Sequence, residues 1–133
     1  MAATHFTGPV YSTNGFISGP ASGPAAGAYD LIGAQTGITS GTTQTQAGAT
    51  AVLGPIVNVS TNANAGDGIR LPPALKGRVI YVANPTANAV QVYGAGTDTI
   101  NAVATATGVS QATLKHACYF CAVDGNWNRI LSA

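Results

Sequence analysis

Every apolar stretch in this chain is cut short by Gly, Pro, Thr or Asn, and no amphipathic helix can be traced along it. What remains is a series of short, largely β-branched runs separated by turn formers, the pattern of an all-β domain. Thr50 to Ser60 holds Val52, Leu53, Ile56, Val57 and Val59. Arg78 to Asn84 and Ala89 to Tyr93 flank a run of turn formers and read as a β-hairpin. A second hairpin is better marked: His116 to Val123, a turn at Asp124, Gly125 and Asn126, then Trp127 to Leu131. Ile100 to Ala106 is either strand or a short helical turn, because Ala dominates it. Together these runs predict a single antiparallel β-sandwich or jelly-roll-like domain over residues 51–133.

The first fifty residues have a different texture. Apolar residues stand singly or in pairs, Pro9, Pro20 and Pro24 lack a backbone donor, and Gly15, Gly19, Gly23 and Gly27 weaken regular structure. Residues 1–50 are therefore expected to form an extended N-terminal arm. Such an arm cannot bury its own apolar groups, so Phe6, Val10, Tyr11, Phe16 and Ile17 are the expected anchors onto neighbouring subunits.

Charge is what the sequence lacks most. Asp, Glu, Lys and Arg make up 7% of residues, where a soluble domain carries roughly 25%, and the four acidic residues are all Asp. A free monomer normally depends on a charged surface for solubility. A chain with a net charge of +1 is instead expected to have much of its surface covered by neighbours. The scattered Arg70, Lys76, Arg78, Lys115 and Arg129 form no basic stripe, so direct nucleic-acid binding is not expected. No stretch reaches bilayer-spanning length, and the start MAATHFTGPV lacks the basic and apolar regions of a signal peptide. Synthesis in a cytoplasm, without membrane passage, is the expectation.

The chemistry-bearing residues do not add up to a catalytic set. Cys118 and Cys121 have CxxC spacing but fall in a predicted strand, where residues three apart face opposite sides. His116 shares a strand face with Cys118, but no nucleophile-activating third group or oxyanion-hole turn is evident, and His5 lies far off in the arm. Asp30, Asp67, Asp98 and Asp124 mostly sit beside Gly or Asn, as turn residues do. The segment Gly66-Asp67-Gly68 lacks the lysine or the further carboxylates of a phosphate or calcium loop. Trp127, between Asn126 and Asn128, suits either a sugar-stacking platform or, more commonly, a strand residue packed on the core. No enzyme activity, metal or cofactor is expected.

Two stretches carry a resemblance. The opening MAATHFTGPVYSTNGFI resembles the start of structural proteins of tailed bacteriophages. The stretch from GDGIRLPPALKGRVIYVANPTANAVQVYGAG to the closing CYFCAVDGNWNRI is similar to a β-domain of phage capsid-decoration, or cement, proteins. Its shared elements are a Leu-Pro step before a Gly-led strand, a Gln-Val-Tyr strand, a Thr-Ile-Asn segment and a strand-Asp-Gly-x-Trp hairpin. The resemblance implies a homotrimer bound to the major capsid protein on the outer surface of the virion head, stabilising the shell against packaged DNA. The competing expectation is a receptor-binding module of a head or tail fibre, although no heptads or fibrous repeats support a shaft.

Overall fold

The computed structural model describes residues 33–132. The chain divides into two units, Met1–Ile32 and Gly33–Ala133, and every described strand belongs to the second.

Ten strands and no helix make up the described residues: β1 Ala34–Thr39, β2 Thr50–Ala51, β3 Ile56–Thr61, β4 Gly68–Arg70, β5 Val79–Asn84, β6 Val90–Tyr93, β7 Thr99–Ile100, β8 Val109–Gln111, β9 Lys115–Val123 and β10 Asn126–Leu131. They form a six-stranded sheet A, in the order β1-β3-β5-β9-β10-β7, and a four-stranded sheet B, β2-β4-β6-β8. From β1 to β9 the chain alternates strictly between the two sheets. Successive strands of each sheet consequently run parallel: β1 with β3 and β3 with β5 in sheet A, β2 with β4 and β4 with β6 in sheet B. Each circuit of one strand per sheet is a rung, and the rungs stack as in a solenoid. Antiparallel pairs close the stack, β6 with β8, β5 with β9 and β9 with β10.

The all-β class is therefore present, but the arrangement is solenoid-like with mixed sheets, where an antiparallel sandwich or jelly roll was expected. The first predicted hairpin accounts for the difference. Residues 84–89 make a corner between sheets, so β5 and β6 are not partners at all. Asn84, fully buried, fixes this corner. Its Nδ2 donates to the carbonyls of Asn88 (3.0 Å), Gln111 (3.3 Å) and Ala112 (3.1 Å), and its Oδ1 accepts from Thr86 N (3.2 Å) and Oγ1 (2.7 Å).

The same corner recurs in each rung. Ser40, Asn62 and Asn84 follow or end β1, β3 and β5, and all three are buried although polar. Ser40 Oγ donates to Asn62 Oδ1 at 2.6 Å across a separation of 22 residues. Asn62 Nδ2 donates to Asn88 O and Ala89 O, and Asn88 Nδ2 returns to Asn62 O and Ala63 O. A polar ladder thus ties the rungs together, satisfying backbone groups that the corner would otherwise bury unpaired.

The domain boundary expected near Thr50 falls at Gly33. β1 already belongs to sheet A, because Gln35 Oε1 accepts the backbone N–H groups of Leu53 (2.6 Å) and Gly54 (2.8 Å) and Ile38 packs against the core. The core lies between the sheets. Val57, Val59, Ile80, Val82, Tyr119 and Trp127 point in from sheet A, and Ile69, Val90 and Val92 from sheet B.

The second predicted hairpin forms as expected. β9 and β10 pair antiparallel around Asp124 and Gly125, the latter at φ +82°. Ile100 to Ala106 contains only the end of β7 followed by turns, with Asn101, Ala102 and Ala106 at positive φ.

Candidate functional site

Strand alternation that sends Val57, Ile80, Val82, Ala117 and Tyr119 inward sends a second set of residues outward from sheet A. That outer face is unusually apolar. Ile56 is 42% exposed, Tyr81 55% and Ile130 61%, with Val79 exposed and Cys118 and Phe120 half-buried beside them.

Register aligns these residues. Ile56 pairs with Tyr81, Tyr81 with Cys118, and Cys118 with Ile130, so one unbroken row crosses β3, β5, β9 and β10. At a strand spacing of roughly 4.8 Å the row is about 14 Å wide. A parallel row follows on one side, Val79, Phe120 and Asn128, and on the other Asn58, Ala83 and His116. No Asp, Glu, Lys or Arg occupies any of these positions. Between the row and His116 lies a shallow depression of about 340 Å³, whose rim includes Ala83, Leu131 and Ser132. Covering Ile56, Tyr81 and Ile130 would contribute about 5 kcal/mol to an association, taking somewhat under 2 kcal/mol for each large apolar side chain.

The cysteines diverge as strand geometry requires. Cys118 faces outward and Cys121 into the core, and both are free thiols. Cys121 Sγ donates to Val123 O at 3.1 Å, and burial, reinforced by the Asp124 charge, pushes its thiol pKa up. His116 and Cys118 both line the depression, together with Tyr81 and Ser132, whose Oγ accepts the His116 backbone N–H at 3.0 Å. Among the described residues no group of three or more metal-ligating side chains occurs. No helix among them is long and apolar enough to cross a membrane.

The aspartates hold loops. Asp98 Oδ2 accepts Ala74 N at 2.7 Å, and Asp124 Oδ1 accepts Lys76 N at 2.6 Å, which pins the Leu71-Pro72-Pro73 segment and its turn against the β9–β10 end. Asp67 is fully buried; its Oδ2 accepts Asn64 N and Nδ2, and its Oδ1 has no partner among the described residues. Trp127 is wholly buried and donates Nε1–H to Pro72 O at 3.3 Å. Its ring is part of the core and offers no sugar-stacking platform.

The anchors expected in the arm, Phe6, Val10, Tyr11, Phe16 and Ile17, and with them His5 and Asp30, lie outside the described residues. The outer row was missed from sequence because Ile56, Tyr81 and Ile130 look like ordinary strand residues. Only the pairing register shows that they share a face.

No protein-family model matches the chain, and no curated protein matches it significantly in sequence.

Proposed function

We propose that this chain is a structural virion protein of a tailed bacteriophage, a decoration or cement protein that binds the outside of the head as a homotrimer. The observation that carries the reading is the charge-free apolar outer face of sheet A on a chain in which only 7% of residues are charged. Such a face needs a partner. The phage resemblance of the sequence supplies the kind of assembly, with the major capsid protein as the partner beneath.

The mechanism is linkage. A subunit that binds the expanded shell and not its unexpanded form lowers the free energy of the expanded state, and so opposes the outward pressure of packaged DNA. Many copies, each making modest contacts, add by multivalency. In this reading residues 1–32 dock onto the capsid through Phe6, Val10, Tyr11, Phe16 and Ile17.

The test is co-sedimentation of the purified chain with heads that lack it, comparing the full chain with one deleted for Met1 to Gly19. The full chain is expected to saturate the heads and raise their resistance to heat or chelator, and the deletion to lose binding. Undiminished binding by the deletion would sink the anchoring role. Specific glycan binding by the purified chain, with no affinity for heads, would replace this reading with a fibre receptor-binding module.

A further inference from the structure

We propose that the outer face of sheet A, centred on the Ile56–Tyr81–Cys118–Ile130 row, is where a second copy of this chain binds. This rests on the assembly reading above and names the surface that copies share.

Charge complementarity selects the occupant. The positions flanking the row are Asn58, Ala83, His116, Val79, Phe120 and Asn128, and none is Asp, Glu, Lys or Arg. A partner seated here must be uncharged over the same area, because a charge pressed against Ile56 or Tyr81 would lose its water with nothing to replace it. An ordinary protein surface, in which roughly one residue in three or four is charged, rarely offers such a strip. This chain does, with five Lys and Arg and four Asp in all, and the sheet A face is such a strip, with Asn58 and Asn128 as neutral polar neighbours of its apolar row.

Cys118 points the same way. A free thiol in the middle of an exposed apolar row is open to oxidation and to mixed disulfides unless something covers it. In a closed cyclic assembly whose axis passes near the row, the Cys118 side chains of the copies approach one another.

The experiment uses the full chain. Its mass in solution at tens of micromolar is measured by light scattering, beside Ile130→Lys, Tyr81→Lys and a control, Leu114→Lys, an exposed residue of the β8–β9 turn that is not part of the row. Circular dichroism checks that each variant is folded. The unmodified chain and the control are expected to be oligomeric. Each row variant is expected to be monomeric, with association weakened at least a hundredfold, because every copy would bring a lysine to the same interface. In the unmodified oligomer Cys118 is expected to resist a bulky maleimide and to be joined between copies by a short bismaleimide, a product lost with Cys118→Ser.

A monomeric unmodified chain overturns the proposal. So does an oligomer that survives both row substitutions, or one in which Cys118 reacts as fast as a free thiol. If the row variants keep their mass but no longer bind heads, the face belongs to the capsid contact: the present proposal fails while the decoration reading stands. If the unmodified chain is oligomeric through this row but never binds heads, the decoration reading fails alone.

Discussion

Replacing Asn84 by Ala tests whether the corner ladder holds the rungs together. Asn84 is fully buried, and its amide makes five close contacts with Thr86, Asn88, Gln111 and Ala112. Two amide hydrogens and two carbonyl lone pairs allow about four full hydrogen bonds, each contributing about 1 kcal/mol net. Thr86 N loses its acceptor, and the Gln111 and Ala112 carbonyls lose a donor, so little of this is recovered by relaxation. The expected cost is about 3–4 kcal/mol, a large share of the roughly 5–15 kcal/mol that holds a domain together. For a domain of this size that corresponds to a fall in Tm of roughly 15 °C or more. Urea unfolding at one fixed protein concentration, followed by circular dichroism, reads the loss directly. Asn84→Asp keeps the acceptor for Thr86 but gives up both donated hydrogens and buries a charge, so it is expected to be at least as damaging at neutral pH. A loss below about 1 kcal/mol for Asn84→Ala would refute the ladder as a source of stability.

Three further outcomes follow from single sites. Burial raises the Tyr119 phenol well above its ordinary value, so the unfolded chain ionises near pH 10 while the folded one does not. The stabilisation is complete below pH 10 and is lost as pH rises above it, by up to about 1.4 kcal/mol per pH unit. Urea unfolding between about pH 9 and pH 11.5 should show that loss, and Tyr119→Phe should remove most of it. Tyr93 and the Cys121 thiol, both raised in the same direction by burial, supply the remainder. Gly68→Ala would place a methyl 2.7 Å from Tyr93 Cε2 and 3.3 Å from Ala49 Cβ, and is expected to cost about 1–3 kcal/mol in urea unfolding, with Tyr93→Leu partly restoring it. In the monomeric Ile130→Lys chain, maleimide labelling followed by mass spectrometry should modify Cys118 within minutes. Cys121, buried and with a raised thiol pKa, should react only on unfolding.

The parts of the fold that the sequence made legible are local ones. The β9–β10 hairpin announces itself because Asp124 and Gly125 supply a turn between two runs of strand formers, and the CxxC divergence follows from a strand's period of two. Topology was hidden, because a corner and a hairpin use the same residues. Asn84, Pro85, Thr86, Ala87 and Asn88 serve either, and only the long-range bonds to Gln111 and Ala112 decide for the corner. One signal was available. Ser40, Asn62 and Asn84 end short apolar runs at a constant interval, and an internal period of about 20–25 residues marks stacked rungs. With that period noticed, parallel neighbours follow, and β1 joins the domain although Gly33 and Gly37 give it the look of the preceding segment. The candidate face could not be read in advance for a related reason. Ile56, Tyr81, Cys118 and Ile130 lie far apart in the chain, and they become one row only when the register of three strand pairs is known.

Cryo-electron microscopy of the particle whose genome encodes this chain tests the central claim most directly. The decoration reading predicts density for the β-domain on the outer surface of the head, three copies around each site, with their sheet A faces turned toward one another and the N-terminal segments running onto the major capsid protein. Density confined to a tail or fibre tip, or a mature particle that contains no copy of the chain, would contradict it.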